Sequence, residues 1–130
     1  MVRLGYTILY VADVAASLKF YEEAFGLARR FLHESGDYGE LDTGATTLAF
    51  ASHALADSNF NGGVVRANES KQPLGMEIGF VTSDVSAAHA KALAAGGKEL
   101  KAPQQKPWGQ TVSYLRAPDG CLVELCTPTA

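Results

Sequence analysis

The 130-residue sequence is poor in the residues that mark several common classes of protein. Its two cysteines, Cys121 and Cys126, are too few for a disulfide framework and lack the spacing of a four-ligand zinc site. The eleven Lys and Arg residues are scattered and the net charge is −3, so we expect neither nucleic acid nor a membrane as a partner. No apolar run approaches the roughly eighteen residues of a membrane span. The first residues lack the apolar region of a signal peptide, and we therefore expect a cytoplasmic protein with reduced thiols.

What the chain does contain is an ordinary globular composition, with 47% hydrophobic and 19% charged residues. Its length is that of one domain with its own core. We expect residues 1–130 to form that single domain. Within it, we predict a first module over about 1–53, a connector over about 54–74 and a second module over about 75–130.

The first half of the chain has the pattern of one strand, one helix and three strands. Residues 5–12 are β-branched and aromatic, as is typical of a strand. Asp13 suits the N-cap of a helix, whose apolar residues follow at helical spacing as far as Phe25, and Gly26 suits its end. Further strands are predicted at residues 28–33, 39–42 and 46–52. The Asn-, Ser- and Gly-rich residues 53–74 are predicted to be a long loop.

The second half repeats this order. Asp84 follows Asp13 by 71 residues, and Gly97 follows Gly26 by the same interval, so a second cap and a second helix end occupy equivalent positions. Strands are predicted at residues 76–82, 99–102, 111–116 and 121–125, and a helix at 85–95. An internal repeat of this kind predicts an α+β fold of two βαβββ modules in tandem, with curved mixed sheets enclosing a cleft.

The last two predicted strands carry the most unusual residue of the chain. The segment from Pro118 to Gly120 favours a tight turn, which pairs the strands as an antiparallel hairpin. Glu124 then lies in the middle of an apolar strand, where a carboxylate without a partner is costly. Glu124 is therefore exposed, paired with Arg116 or Lys101, or placed in a functional cleft.

Two motifs accompany the repeat: Asp13-Val-x-x-Ser-x-x-Phe-Tyr-x-x-x-Phe-Gly26 and Asp119-Gly-x-x-x-Glu-Leu125. Together they resemble the vicinal oxygen chelate superfamily, which includes glyoxalase I, extradiol dioxygenases, fosfomycin-resistance enzymes and bleomycin-resistance proteins. The resemblance covers nearly the whole chain. It implies a small-molecule ligand and a homodimer whose clefts take residues from both chains.

In the metal-dependent members of that superfamily, a divalent ion is held by the first and last strand of each module. The matching positions here are Tyr6 and Ala49 in the first module and Glu77 and Glu124 in the second. The usual ligands are His or Gln with Glu, so a phenol and a methyl group stand where two ligands are expected. Without imidazole we expect no cofactor and no tight transition-metal site; the alternative is Mg²⁺, Mn²⁺, Ni²⁺ or Zn²⁺ held by Glu77 and Glu124.

The remaining candidates are aromatic and amide side chains. Trp108 is expected either to plug the end of the core or to form a flat wall for a ring-containing ligand, with Gln110 setting its orientation. The candidate ligand-binding residues are Tyr6, Tyr10, Ala49, Glu77, Trp108, Gln110, Tyr114 and Glu124. Glu124 is also the candidate catalytic residue.

Three functions remain open from the sequence. The first is a protein of the glyoxalase and bleomycin-resistance type that binds a small molecule without a tight transition metal. The second is a metal-dependent enzyme, either a lactoylglutathione-lyase-like lyase or a dioxygenase, in which a carboxylate moves a proton next to a carbonyl. The third is a dimeric scaffold with a vestigial cleft.

Overall fold

A computed structural model describes residues 1–129 of the chain. In chain order the elements are β1 (Tyr6–Val11), α1 (Val14–Phe25), β2 (Ala28–Leu32), β3 (Tyr38–Asp42), β4 (Thr47–Ser52), α2 (His53–Asn59), a 3₁₀ turn (Ala67–Glu69), β5 (Glu77–Val81), α3 (Val85–Ala94), β6 (Lys98–Gln105), β7 (Thr111–Arg116) and β8 (Leu122–Cys126). No helix within these residues is long and apolar enough to cross a membrane.

The strands form two four-stranded mixed sheets with the same topology. Their orders are β1-β4-β3-β2 and β5-β8-β7-β6. In each sheet the first strand is parallel to its neighbour, and the other pairs are antiparallel. The predicted α+β fold of two βαβββ modules is confirmed. The two sheets do not close on each other, so β1 and β5 each keep a free edge.

The helices begin and end where the sequence places their caps. The Asp13 carboxylate accepts a hydrogen bond from the backbone N–H of Ala16 at 3.0 Å, and Asp84 accepts one from Ala87 at the same distance. Gly26 ends α1 with φ 70°, a left-handed conformation that costs a glycine nothing. The predicted repeat of cap and helix is present, but the predicted equivalence of Gly97 with Gly26 is wrong, because α3 has Ala95 as its C-cap and the left-handed glycine that follows is Gly96, with φ 118°.

One core joins the two modules through their helices, since α1 and α3 pack against each other and each covers one face of its own sheet. The largest fully buried side chains of this core are Tyr21, Phe50, Leu18, Leu41, Leu115, Leu125, Val11, Val14, Val85 and Val123. In β8, Val123 and Leu125 point into the core, so Glu124 lies on the opposite face. We call the side of each sheet that faces away from the helices its open face.

Two predicted boundaries are wrong. The predicted loop at 53–74 contains α2, because the Ser52 hydroxyl caps that helix by accepting a hydrogen bond from the N–H of Leu55 at 3.1 Å. The strand predicted at 99–102 extends from Lys98 to Gln105. Two irregularities in its pairing with β7 interrupt the alternation of its side chains, and its position at the sheet edge tolerates Pro103.

The rest of the connector is fastened to the hairpin of β7 and β8. The Arg116 guanidinium donates to the backbone carbonyls of Ala67 and Ser70, both at 2.8 Å, and of Lys71 at 3.3 Å. Its Nε also donates to the carbonyl of Gly120 at 3.0 Å, within the same hairpin. Charge-assisted bonds are stronger than neutral ones, so Arg116 fixes the connector beside the second sheet.

Candidate functional site

The strand register shows which positions of the two modules are equivalent. Ala49 pairs with Glu40 on the neighbouring strand of the first sheet. Glu124 pairs with Tyr114 on the corresponding strand of the second sheet. The predicted equivalence of Ala49 and Glu124 therefore agrees with the register. It also shows that the carboxylate of the first module, Glu40, lies on β3, next to the strand that carries the position equivalent to Glu124.

The carboxyl groups of Glu77 and Glu124 come together on the open face of the second sheet. They extend from the adjacent parallel strands β5 and β8. Desolvation by the surrounding side chains, a hydrogen bond with Glu124 and the charge of Glu124 raise the pKa of Glu77. The nearby charge of Glu124 therefore makes it harder for Glu77 to lose its proton.

Two further groups border this pair. A hydrogen bond with Glu124, followed by burial and the nearby negative charges, raises the pKa of Tyr114 to about 12. Burial, together with the charge of Glu124 and a hydrogen bond to it, raises the pKa of the Cys126 thiol. At neutral pH the phenol and the thiol are therefore protonated. Both groups therefore present a hydrogen-bond donor beside the Glu124 carboxyl group.

Neither carboxyl group has a basic partner. Among residues 1–129, no ion pair joins Glu77 or Glu124 to a lysine, arginine or histidine. Arg116 is engaged by the connector carbonyls, and Lys101 lies opposite Tyr114 without pairing with Glu124. The alternative in which Arg116 or Lys101 neutralises Glu124 is therefore wrong. The negative charge of the pair is therefore available to a cationic or hydrogen-bond-donating group of a ligand.

The first sheet carries a polar cluster that the sequence analysis missed. Glu40 is buried on the open face, where it accepts a hydrogen bond from Tyr38 at 2.7 Å and an ion-pair contact from Arg30 at 3.2 Å. Its signal in the sequence was weaker than that of Glu124, because β3 reads Tyr-Gly-Glu-Leu-Asp and holds a second carboxylate. Ala49 lies buried beside it, and Tyr6 lies on the same face with 56% of its surface exposed.

The other aromatic candidates lie outside the carboxyl pair. Tyr10 accepts a hydrogen bond from the Asn59 amide at 3.3 Å. Trp108 is 67% exposed and does not plug the core; its Nε1–H donates to the Gln110 side chain at 2.8 Å. Gln110 in turn donates to the carbonyl of Thr127 at 2.7 Å. The loop therefore holds the indole outside the core at the end of the second sheet, and its role as a ligand wall stays a prediction.

The donor groups of one chain do not fit a tight transition-metal site. Within the part of the chain that the structure describes, no three His, Cys, Asp or Glu residues are grouped closely enough to hold a metal ion. Glu77 and Glu124 supply two carboxyl groups, which are bordered by the phenol of Tyr114 and the thiol of Cys126. A metal of this type takes three or four deprotonated or imidazole ligands.

The raised pKa of Glu77 predicts that Glu77→Gln stabilises the protein near neutral pH. Folded Glu77 binds its proton more tightly than the unfolded chain does, so the stability that it contributes falls as the pH rises above the unfolded pKa of about 4.3. A glutamine amide keeps a donor to Glu124 without titrating. We expect the free energy of unfolding to rise at pH 7 by at most about 1 kcal/mol, because Glu77 is exposed, and to change little at pH 4.

Urea unfolding of the wild type and of Glu77→Gln at the two pH values measures this difference. Glu69→Gln, at an exposed site outside the carboxyl pair, is the matched control. If Glu77→Gln lowered the free energy of unfolding at pH 7 and Glu69→Gln did not, the proximity of Glu124 would not destabilise the ionised form of Glu77.

Comparison with known proteins agrees with this architecture. The model of the Glyoxalase/Bleomycin resistance protein/Dioxygenase superfamily matches residues 3–125. A relative from Vibrio parahaemolyticus, named probable lactoylglutathione lyase, is 27% identical over an alignment of 133 residues, which covers 95% of this chain and 88% of the relative.

Two solved structures have the same fold. A glyoxalase-related enzyme from Fulvimarina pelagi has a TM-score of 0.83 at 23% identity, covering 98% of this chain and 89% of its own. A glyoxalase/bleomycin resistance protein/dioxygenase family enzyme from Burkholderia phytofirmans PsJN has a TM-score of 0.81 at 20% identity. That match covers 97% of this chain and 98% of the Burkholderia chain. These likenesses establish the fold alone. With the family model matching nearly all of the sequence, the chain belongs to the glyoxalase/bleomycin resistance protein/dioxygenase superfamily.

Proposed function

We propose that this protein binds a small molecule on the open face of its second sheet, with Glu77, Glu124 and Tyr114 as the polar contacts. The observation that carries the proposal is the pair of carboxyl groups on the adjacent strands β5 and β8, which has no basic partner among residues 1–129. A ligand with a cationic or hydrogen-bond-donating group satisfies such a pair, because it supplies the positive potential that the protein does not. The pair then binds the ligand without a tight transition metal.

The space beside the pair favours ligand binding over a vestigial cleft. Gly79 pairs with Glu124 in the sheet, and a Cβ placed on Gly79 would meet nothing within 4 Å. A vestigial site would be expected to have apolar side chains over this position. The carboxyl pair instead borders open space that can admit a ligand.

The exposed apolar residues support a homodimer as the working assembly. The exposed side chains on or beside β1 and β5 are Leu4, Tyr6, Ile8, Met76 and Val81. Apolar surface of this kind is typical of an interface. In our proposal a second copy covers it and helps to enclose the ligand. Sedimentation equilibrium of the purified protein measures the mass of the assembly.

A thermal-shift screen of small molecules at pH 7 tests the binding function. A compound that binds the folded state at a hundred times its Kd raises the free energy of unfolding by about 2.7 kcal/mol. We expect the compounds that stabilise the protein to carry amines, amidines or several hydroxyl groups. A screen in which only anionic compounds stabilise the protein would contradict the proposed chemistry of the site.

A metal-dependent lyase is the second candidate function. It is favoured by the convergence of Glu77 and Glu124 and by the name of the Vibrio parahaemolyticus relative. Elemental analysis of protein purified without added metal separates the two candidates. Our proposal expects far less than one metal ion per chain, whereas near-stoichiometric Zn, Ni, Fe or Mn would contradict it. Turnover of a hemithioacetal with added Mg²⁺, Mn²⁺, Ni²⁺ or Zn²⁺, abolished by Glu124→Gln, would establish the lyase.

A further inference from the structure

An apolar cavity of about 240 Å³ lies between the free edges of β1 and β5. Strand and connector residues line it, among them Ile8, Leu9, Val65, Leu74, Met76 and Leu122. We propose that this cavity is a second subsite, which binds the ring or hydrocarbon part of an amine whose ammonium group is bound by the carboxyl pair of Glu77 and Glu124. The inference rests on the proposed function, because Glu77 belongs to both sites.

The size of the cavity suits one ring with a short chain. An apolar cavity of about 150 Å³ is known to be large enough for benzene. The present cavity is larger, so it admits an aryl group and the two or three carbons that join it to a polar group. Its walls offer aliphatic side chains, which gain free energy by excluding water from such a group.

The charge at the cavity selects an amine over an acid or an alcohol. Glu77 is the only acidic or basic residue among the residues that line it. Cys121 also lines the cavity, and burial raises the pKa of its thiol, which therefore stays neutral. An ammonium group meets the Glu77–Glu124 pair through a charge-assisted hydrogen bond, whereas a carboxylate would lie against the negative charge of that pair.

The wall formed by the connector is exposed but fixed in place. Val65 and Met76 line the cavity with 71% and 72% of their surfaces exposed. Apolar side chains grouped around a concavity are typical of a binding surface. The bonds from Arg116 to the carbonyls of Ala67 and Ser70 hold this segment against the second sheet. The cavity is therefore preorganised, which reduces the cost of ordering it around a ligand.

Titration calorimetry of the full chain at pH 7 with four matched probes tests the inference. The probes are 3-phenylpropylamine, 3-phenylpropanol, 3-phenylpropanoate and propylamine. We expect 3-phenylpropylamine to bind most tightly, and loss of the phenyl group or of the positive charge to weaken binding by about ten-fold or more each. The phenylpropanoate should bind weakest of the three aryl probes.

Two tryptophan variants separate the cavity from the remaining surface. Val65→Trp places an indole into the cavity from an exposed position and should weaken 3-phenylpropylamine binding about ten-fold or more. Leu100→Trp makes the same addition on the exposed edge strand β6, away from the cavity, and should leave binding unchanged. Circular dichroism of both variants checks that they are folded.

Three results would overturn the inference. Equal binding of propylamine and 3-phenylpropylamine would show that the ring does not use the cavity, while leaving the proposed function in place. Equal effects of Val65→Trp and Leu100→Trp would assign the ring to another site. Absence of aryl-amine binding, with Val65→Trp dissociating a dimer, would show that a second copy fills the cavity. A failure of the proposed function would give a different result. In that case Glu124→Gln would not weaken the binding of any compound.

Discussion

Glu124→Gln should weaken the binding of a donor-bearing ligand by about ten- to hundred-fold. Glu124 lies at the centre of the site, since Glu77 and Tyr114 on the neighbouring strands both border its carboxyl group. A hydrogen bond that includes a charged group contributes about 1.5–3 kcal/mol, which corresponds to a change of that size in Kd. The amide of glutamine removes the charge and replaces one acceptor atom by a donor.

A matched control comes from the surface of α1. Glu23 forms only an exposed pair with Lys19 at 3.9 Å, so Glu23→Gln removes one negative charge without touching the site. Titration calorimetry with a compound found in the screen gives the Kd of the wild type and of both variants. If Glu124→Gln bound the ligand as tightly as the wild type, the carboxyl pair would not be the contact site.

Gly120→Ala should lower the free energy of unfolding by at least about 3 kcal/mol. Gly120 has φ 93°, a conformation that costs a residue with a Cβ about 1–2 kcal/mol. An added Cβ would also overlap the backbone carbonyl of Ala67, which cannot move without breaking its bond from Arg116. The steric conflict and the displaced connector add to the backbone cost.

Gly44 offers a control with nearly the same backbone. Its φ is 91°, and a Cβ built on it meets nothing within 4 Å. Gly44→Ala therefore carries the backbone cost alone, and urea unfolding of the two variants isolates the contact between the hairpin and the connector. Equal losses of stability would show that the connector does not lie against the hairpin as described.

The parts of the fold that the sequence predicted are those with a local cause. Asp13 and Asp84 bond to backbone N–H groups three residues away, and Gly26 ends its helix through its own φ. These signals need no tertiary contact, and their repetition at a constant interval revealed the two modules. The alternation of Val123, Glu124 and Leu125 likewise placed the carboxylate on the face opposite the core.

The parts that the sequence could not predict depend on partners distant in the chain. Glu40 could not be recognised as part of a cluster before the sheet brought it to Arg30 and Tyr38. The role of Arg116 could not be predicted, because its partners are backbone carbonyls, which leave no trace in the side-chain pattern. The cavity between β1 and β5 depends on how the two sheets lie relative to each other, which no residue pattern encodes.

A crystal structure of the protein with a ligand from the screen tests the central claim most directly. The account predicts that a donor group of the ligand lies within hydrogen-bonding distance of Glu124, with Glu77 and Tyr114 in contact with the same carboxylate. It would be contradicted by a structure in which the ligand binds elsewhere and the Glu77 and Glu124 carboxyl groups each point into solvent.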